Sequence, residues 1–473
     1  MNKSHKINPS ALRAYDIRGS IGELLFTEDA FFIGKAFATK IIRKTNKKNP
    51  VVAVGRDGRL SSPSLHEGLV KGMVEAGAVV RDIGIGPSPM LYFTVRSEEL
   101  DGGIMITGSH NPGHHNGFKM MYNKAPIFAE EIQEMGRIIE NGEFEENSGG
   151  RVEICDVKKD YVKNLLGGVQ DKARKNLSNM KVAWDPGNGA GAEITSLLTS
   201  ELEGKHFVIN EIIDGTFPAH HPDPSEEKNL QQLIALVKKE KCDIGIAFDG
   251  DADRIGAVDG QGRVIWGDQM MMFFAEDVLE DNAGAEIIVD VKASETFFDR
   301  VRELGGKPLM WKTGHSYIKT KLAETGAKLA GEMSGHIFFN DRYFGFDDAI
   351  YSAVRLLNFF AKRGIAPAVF VDKLPKSFAS SEYRIAVPEE DKVRIVEEIR
   401  ALVKSGDKKV SEIDGIRVKE EGGWWLLRSS NTQSVITMRA ESTTEAGLVK
   451  IKTMLNGYLE PYGVSLDNIS VGH

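Results

Sequence analysis

Short apolar runs recur along this chain, and each ends at or beside Asp or Gly before a longer amphipathic segment begins. Residues 51–57, 181–187, 243–249 and 287–291 read VVAVGRD, KVAWDPG, DIGIAFD and IIVDV. Runs this short and apolar are typical of strands that are buried on both faces of parallel or mixed sheets and covered by helices. The pattern therefore predicts an α/β fold.

Three polar stretches interrupt this pattern, at residues 141–150, 260–262 and 373–376. They divide the chain into four segments of about a hundred residues, which is an ordinary domain size. A helical pattern over 389–405, followed by short strands, indicates that the last segment is α+β. We expect domain boundaries that give the ranges 1–153, 154–262, 263–375 and 376–473.

Composition narrows the classes of partner. The 473 residues are 41% hydrophobic and 27% charged, with a formal net charge of -8, so the chain has no broad basic surface for nucleic acid. No apolar stretch reaches the ~20 residues of a membrane span, and no apolar signal segment follows Met1. Cys155 and Cys242 fit neither a disulfide framework nor a zinc site. We expect a cytoplasmic protein that binds anions only at local sites.

The first candidate for chemistry is TGSHNP at residues 107–112, which follows the apolar run 103–106. Pro112 prevents continuation as a central strand, so we expect a strand and then an exposed loop that presents Ser109 to a solvent-filled cleft. Gly108 would remove side-chain bulk beside the hydroxyl. Taken alone, these residues are also typical of a polar turn.

The second candidate is DGDADR at residues 249–254. Asp249, Asp251 and Asp253 supply the oxygen ligands that Mg²⁺ prefers and leave coordination positions open for a phosphate oxygen. A calcium-binding EF-hand is excluded, because its sixth and twelfth positions would be Arg254 and Gly260 instead of Gly and Glu. An exposed acidic turn is the structural alternative, but Arg254 alone cannot neutralise three carboxylates.

The third candidate is GEMSGH at residues 331–336, where Glu332, Ser334 and His336 offer donors and acceptors to sugar hydroxyls. Lys292 and His315 are further anion or hydroxyl contacts in this part of the chain. A glycine-rich turn with incidental polar residues gives the same local pattern.

The fourth candidate is RSSNT at residues 428–432. Its guanidinium, hydroxyls, amide side chain and backbone N–H groups would suit a phosphate dianion without a metal. Clusters of Ser, Thr and Asn are also common in loops without this function.

Together the four loops are more specific than any one of them. In order and wording they resemble the α-D-phosphohexomutase superfamily over nearly the whole chain, and within it the bacterial phosphomannomutase/phosphoglucomutase group. AYDIRG at 14–19 and NGFK at 116–119 match the same pattern. The resemblance implies a heart-shaped protein with three related α/β domains of mixed sheets and a C-terminal α+β domain, arranged around a central cleft that the last domain closes.

The resemblance also implies a role for each matching residue. Ser109 would carry the phosphoryl group and, with the three aspartates, bind one Mg²⁺ per chain, while His110, Lys119 and Arg254 match catalytic positions beside it. Glu332 and Ser334 would bind sugar hydroxyls, with His336 close by. The residues that would hold the non-reacting phosphate are Tyr15, Arg18, Lys292, His315, Arg428, Ser430, Asn431 and Thr432. Relatives often carry Pro at the position of Ser434, so the geometry of this last loop stays open.

The implied activity is that of a phosphohexomutase, which interconverts the 1- and 6-phosphates of mannose and/or glucose. The route would be a phosphoserine and a hexose 1,6-bisphosphate, with glucose 1,6-bisphosphate as activator, and we expect a monomer. Three alternatives remain. A phosphoglucosamine mutase usually has Gln at the position of Met333, a Mg²⁺-dependent sugar phosphatase would have little use for a second phosphate cradle at Arg428, and a sugar-phosphate- or calcium-binding protein would not require Ser109.

Overall fold

The computed structural model describes residues 4–404, 406, 408–430 and 434–466, and in it the chain forms four separate sheets. Short 3-10 helices occur at Pro9–Ala11, Glu227–Leu230 and Glu460–Tyr462. Each sheet is built from a consecutive part of the chain, so four folding units follow one another as the sequence predicts. The residue boundaries expected between them stay predictions.

The first sheet is mixed. Its elements are β1 (Ile17–Ser20), α1 (Thr27–Thr45), β2 (Val51–Arg56), α2 (Ser62–Ala76), β3 (Val79–Ile85), α3 (Ser88–Ser97), β4 (Gly102–Ile106), β5 (His115–Tyr122), β6 (Ala125–Ile127), α4 (Glu130–Asn141) and β7 (Arg151–Ile154). The strand order is β1-β5-β4-β2-β3-β7, with β6 beside β5. Strands β4, β2, β3 and β7 are parallel, and β5 runs antiparallel to β4.

The second sheet repeats this plan with fewer strands. Its elements are α5 (Lys158–Leu166), α6 (Asp171–Leu177), β8 (Lys181–Asp185), α7 (Ala192–Glu201), β9 (Lys205–Val208), α8 (Gln231–Glu240), β10 (Ile244–Phe248), β11 (Ile255–Asp259) and β12 (Val264–Ile265). Strands β9, β8 and β10 are parallel, and β11 is antiparallel to β10.

The third sheet has the same arrangement. Its elements are α9 (Gly267–Asp281), β13 (Glu286–Asp290), α10 (Glu295–Glu303), β14 (Lys307–Trp311), α11 (His315–Thr325), β15 (Leu329–Gly331), β16 (Ile337–Phe339), α12 (Ala349–Arg363) and α13 (Pro367–Lys373). Strands β14, β13 and β15 are parallel, and β16 is antiparallel to β15.

Three of the candidate loops occupy equivalent places in these three sheets. Each joins the last parallel strand to the antiparallel strand beside it: residues 107–114 join β4 to β5, residues 249–254 join β10 to β11, and residues 332–336 join β15 to β16. Because side chains at this junction emerge from the carboxyl end of a buried strand, they lie where open α/β sheets usually bind ligands.

The fourth sheet is antiparallel throughout and belongs to an α+β unit. Its elements are β17 (Phe378–Ala379), β18 (Tyr383–Ala386), α14 (Glu389–Lys404), β19 (Lys409–Ser411), β20 (Ile416–Glu420), β21 (Gly423–Ser429), β22 (Val435–Ser442) and α15 (Glu445–Leu459). The phosphate-loop candidate lies in the connection between β21 and β22.

Helix α12 joins the second and third units. The Asp348 side chain accepts a hydrogen bond from the backbone N–H of Tyr351 at its start, and Gly364 ends it in the left-handed conformation with φ 62°. Between these caps the helix is almost entirely buried and packs against α5, α6 and α9. Its buried Arg355 is paired with Asp277 and Asp341, as a charge in such a place requires.

The predicted fold class is confirmed in its elements. The runs at 51–57, 181–187, 243–249 and 287–291 are strands β2, β8, β10 and β13, and the helical pattern at 389–405 is α14. Both cysteines are free, as their spacing indicates. None of the helices in the described part of the chain combines the length and apolar character that a bilayer crossing requires.

Candidate active site

The three equivalent loops meet in one place. Ser109 Oγ lies 3.2 Å from Asp249 Oδ2, which joins the first loop to the second. Arg254 Nε lies 3.0 Å from His336 Nε2, which joins the second loop to the third. Residues far apart in the chain therefore form one cluster, and it includes Ser109, His110, Lys119, Asp249, Asp251, Asp253, Arg254, Glu332 and His336.

Ser109 is more enclosed than the sequence suggests. The expectation of an exposed loop is wrong at this position, because Ser109 is only 2% exposed and its loop packs under the second domain. Its backbone has φ 51°, in the left-handed region that non-glycine residues rarely adopt. The hydroxyl lies 3.2 Å from both Asp249 Oδ2 and His110 Nδ1. The serine is thus held in a strained and defined orientation.

The three aspartates form a buried cluster and not an exposed acidic turn. Asp249, Asp251 and Asp253 are each 0% exposed, and one oxygen from each lies within 4.8 Å of the others. Lys119 Nζ donates to Asp251 Oδ2 at 2.7 Å and also hydrogen-bonds Asp253. Arg254 is thus not alone in offsetting the charge of the carboxylates, because Lys119 reaches the cluster from β5 of another domain.

Burial and charge set the protonation of this cluster. Burial, together with the neighbouring Asp253 and Asp251, raises the pKa of Asp249 well above its usual range. Burial opposes ionisation of Asp253, but Lys119, His336 and Arg254 together lower the pKa of Asp253. Burial likewise opposes the charge on Lys119, yet Asp251 and Asp253 raise the pKa of Lys119 well above the ordinary value. Lys119 and Asp253 thus each favour the charged form of the other, whereas Asp249 favours its neutral form.

The donor set fits a hard divalent cation. Asp251 Oδ1 and Asp253 Oδ1 are buried without a hydrogen-bond partner. Buried carboxylate oxygens normally have partners, so orphaned ones that converge indicate a place for a cation. Asp253 also belongs to a second buried group with His336 and Asp347. There Arg254 donates to His336 Nε2, so a neutral ring carries its proton on Nδ1, which faces Asp347 Oδ2 at 3.2 Å.

Two histidines beside the cluster are kept neutral. Burial and then the charge of Arg254 lower the pKa of His110 well below its usual value. Burial and then the charge of Lys319 do the same to the pKa of His315. At neutral pH both rings can accept a proton.

The sugar-loop candidates lie at the edge of the same cluster. Glu332 is 2% exposed, and its Oε1 accepts a hydrogen bond from the backbone N–H of Gly314 at 2.5 Å. Ser334 is half-buried, and His336 is buried. Glu332 is thereby fixed by the loop that also carries His315.

Arg428 lies in the phosphate-loop candidate and is oriented by Asp414. It is 5% exposed, and its Nε donates to Asp414 Oδ2 at 3.0 Å. Asp414 Oδ2 also accepts from the backbone N–H of Thr313 at 3.1 Å, while Tyr15 donates its hydroxyl to Thr313 O at 3.1 Å. Three domains thus meet at Thr313. Ser430 is buried beside Arg428, whereas Asn431 and Thr432 lie outside the described residues.

The remaining candidates, Tyr15, Arg18, Lys292 and His315, do not all lie in one place. The ring of His315 lies 5.9 Å from that of Tyr15 and 5.5 Å from that of His336, so these residues extend the catalytic cluster. Lys292 Nζ lies 3.6 Å from Glu382 Oε2, on the side of the fourth domain. Arg18 hydrogen-bonds Asp16 in its own domain.

The sequence analysis missed four residues that support these groups: Asp57, Arg59, Asp347 and Asp414. The first two follow strand β2 as Asp249 follows β10, so the strand-then-Asp pattern at 51–57 was a signal for them. For Asp347 and Asp414 no local pattern in the sequence distinguishes them from the other aspartates of the chain.

Comparison with known proteins identifies the family. The models of phosphoglucomutase/phosphomannomutase alpha/beta/alpha domains I, II and III match residues 10–146, 159–262 and 266–378, and the model of the C-terminal domain matches residues 382–456. The chain belongs to the phosphoglucomutase/phosphomannomutase family. The four-domain phosphohexomutase fold that the loop motifs imply is thereby confirmed.

Individual members of this family are similar over nearly their whole length. The phosphomannomutase/phosphoglucomutase of Pseudomonas aeruginosa is 41% identical over 464 residues, which is 98% of each chain. A phosphoglucomutase of Neisseria meningitidis is 41% identical over 95% of this chain and 96% of its own. The crystal structure of a family protein from Burkholderia thailandensis, 40% identical, superposes with a TM-score of 0.88 and covers 98% of this chain and 99% of its own.

Proposed function

We propose that this protein is a phosphohexomutase that interconverts the 1- and 6-phosphates of mannose and/or glucose through a phosphoserine and a hexose 1,6-bisphosphate. The observation that carries the proposal is the contact of Ser109 Oγ with Asp249 inside a buried three-carboxylate cluster, in a chain of this family. A serine in such a cluster is suited to accept and return a phosphoryl group, because positioning and charge account for most of the catalysis of phosphoryl transfer.

We assign the metal-binding role to Ser109, Asp249, Asp251 and Asp253, with one Mg²⁺ per chain and glucose 1,6-bisphosphate as the activator that first phosphorylates Ser109. When bound, Mg²⁺ supplies positive charge to the phosphate oxygens. Lys119 and Arg254 supply further positive charge from protein side chains. The neighbouring Asp251 and Asp253 raise the pKa of Lys119, which suits it to this electrostatic role.

We assign proton transfer to His110. His110 Nδ1 lies 3.2 Å from Ser109 Oγ, and the neutral ring favoured by burial can exchange a proton with the serine oxygen. Of His110 and Lys119, we favour His110 as the base, because its Nδ1 is the nitrogen placed beside Ser109 Oγ.

A second anion cradle separates a mutase from a phosphatase. We assign it to Tyr15, Arg18, Lys292, His315, Arg428, Ser430, Asn431 and Thr432, and the sugar hydroxyls to Glu332, Ser334 and His336. Arg428 is buried and held at the cleft by Asp414, where a guanidinium can take a phosphate through two parallel hydrogen bonds. The bisphosphate then turns end for end, so that each phosphate faces Ser109 in turn.

We further propose a cytoplasmic monomer with domains at 1–153, 154–262, 263–375 and 376–473. The acidic net charge of -8 is in keeping with small anionic substrates bound at local sites and with no nucleic-acid partner. The mass of the active species in solution, measured by light scattering, would decide between a monomer and an oligomer.

The deciding experiment measures interconversion of the 1- and 6-phosphates of mannose, glucose and glucosamine, with Mg²⁺ and a trace of glucose 1,6-bisphosphate. We expect turnover of mannose and glucose phosphates, little turnover of glucosamine phosphate, and none in Ser109→Ala. Dominant glucosamine turnover would favour a phosphoglucosamine mutase. Release of inorganic phosphate without isomerisation would mean a phosphatase, and retained turnover in Ser109→Ala would exclude the phosphoserine route.

A further inference from the structure

The guanidinium group of Arg59 donates hydrogen bonds to several backbone carbonyls of the loop that carries Ser109. Its Nη2 donates to the carbonyl oxygens of Ser109 at 2.7 Å and Asn111 at 2.6 Å. Its Nη1 donates to those of Pro112 at 2.5 Å and His115 at 3.0 Å. The Arg59 side chain is completely buried. Four carbonyls of one loop are therefore satisfied by a single side chain from the end of β2.

Asp57 fixes this guanidinium and touches the loop itself. Its Oδ2 accepts from Arg59 Nε at 3.0 Å and from the backbone N–H of Gly108 at 3.1 Å. Its Oδ1 accepts from Ser62 Oγ at 2.6 Å and from the backbone N–H of Arg59 at 3.0 Å. The Asp57–Arg59 ion pair thus binds the loop through both kinds of backbone group: Asp57 accepts from an N–H, and Arg59 donates to carbonyls.

This arrangement explains the composition of the loop. A Cβ at position 108 would lie 2.5 Å from Arg59 Cζ, so Gly108 is required by the guanidinium and not, as the sequence suggested, by the serine hydroxyl. Ser109 has φ 51°, a conformation that costs about 1–2 kcal/mol for a residue with a side chain. The hydrogen bond from Arg59 to the Ser109 carbonyl holds the residue in that conformation.

The second domain covers the guanidinium. The ring of Phe217 lies 5.0 Å from Arg59 Cζ. A Cβ at Gly215 would lie 2.3 Å from Arg59 Cα, so this segment packs directly on the backbone of Arg59. The cover keeps water from competing for the donors of Arg59, which strengthens its bonds to the loop.

We propose that Arg59 is a positioning residue for phosphoryl transfer: it holds the Ser109 loop in its reactive conformation through backbone carbonyls and contacts no substrate. The inference rests on the proposed function. Asp57 is its partner. Because the proposed sugar and phosphate contacts come from other loops, loss of the guanidinium fork slows the chemical step and leaves substrate binding nearly unchanged. Displacement of reacting groups by about 1 Å costs about 100-fold in rate.

The test compares Arg59→Lys with Arg81→Lys, a surface arginine of the same domain that pairs with Glu98 and Glu153. Lysine keeps the charge beside Asp57 but cannot reach four carbonyls from one nitrogen. We expect kcat to fall about 100-fold in Arg59→Lys with KM within about twofold, and no change in Arg81→Lys. Amide hydrogen exchange in the peptide 107–116 should accelerate only in Arg59→Lys. Millimolar guanidinium should restore part of the kcat of Arg59→Ala.

Each outcome decides a separate point. Wild-type kcat in Arg59→Lys, or a loss of kcat that Arg81→Lys shares, overturns the positioning role. Unchanged hydrogen exchange in 107–116 overturns the structural half of the inference whether or not the enzyme turns over. If the wild-type protein itself isomerises no hexose phosphate, the proposed function fails, and the exchange measurement alone then decides whether Arg59 holds the loop.

Discussion

Lys119 is the residue whose replacement tests the aspartate cluster most directly. Its ammonium group is buried, 2.7 Å from Asp251 and hydrogen-bonded to Asp253, where it neutralises carboxylates that a cation would otherwise neutralise. Methionine has a similar length and no charge. We therefore expect Lys119→Met to destabilise the metal-free protein and to make its stability depend strongly on Mg²⁺.

The magnitude follows from the burial of both partners. Removing one partner of a buried ion pair costs about 3–5 kcal/mol, because the other charge is left without compensation. For a domain of about 150 residues, a loss of about 3 kcal/mol in the free energy of unfolding corresponds to a fall of roughly 6–12 °C in the unfolding midpoint. Mg²⁺ at a hundredfold excess over its Kd should raise the free energy of unfolding of Lys119→Met by about 2.7 kcal/mol. At the same Mg²⁺ concentration the wild type should gain less, since there Mg²⁺ and the Lys119 ammonium group repel each other across the same two carboxylates.

The assay is thermal unfolding of wild type, Lys119→Met and Lys40→Met, each in EDTA and in Mg²⁺. Lys40 is a matched control, because it is also buried and bonded to carboxylates, Glu134 and Glu131, in the same domain away from the aspartates. Lys40→Met should respond to Mg²⁺ as the wild type does. If Lys119→Met is as stable as wild type in EDTA, or gains no more from Mg²⁺, Lys119 does not compensate the cluster and our account of it is wrong.

Two further predictions concern backbone strain and pH. Because Ser109 has φ 51°, Ser109→Gly should be more stable than Ser109→Ala by about 0.5–1 kcal/mol in thermal unfolding, and equal midpoints would argue against strain at this residue. Burial alone would lower the pKa of His220, but its hydrogen bond to Asp185 raises it above 6.5. The stability it contributes is full below pH 6.5 and lost as pH rises through the raised pKa, so the unfolding midpoint of wild type relative to His220→Gln should fall over that interval. A difference independent of pH would contradict this.

Much of the fold could be predicted because its signals are local. The apolar runs at 51–57 and 243–249 are strands since their composition suits a buried sheet and no other short element. The acidic loop after the second run was recognisable from three alternating carboxylates alone. The burial of Ser109 could not be recognised in this way, because it depends on a second domain that packs over the loop.

Residue types alone indicate the class of chemistry: a serine, three alternating aspartates, a Glu-Ser-His loop and an Arg-Ser-Ser loop, each following a buried strand. Residue type and short-range spacing are enough for this, since they set what a loop can donate, accept or bind. The same motifs resemble one family, and four matching family models show that the chain belongs to it.

Which of these groups contact one another depends on the tertiary fold. Lys119 reaches Asp251 from a different sheet, and Arg59 reaches the Ser109 loop from the end of a neighbouring strand. The three loops meet because each leaves its sheet at the same topological junction, between the last parallel strand and the first antiparallel one. Charge compensation and burial act through space between residues distant in the chain, so no local pattern of residues encodes them.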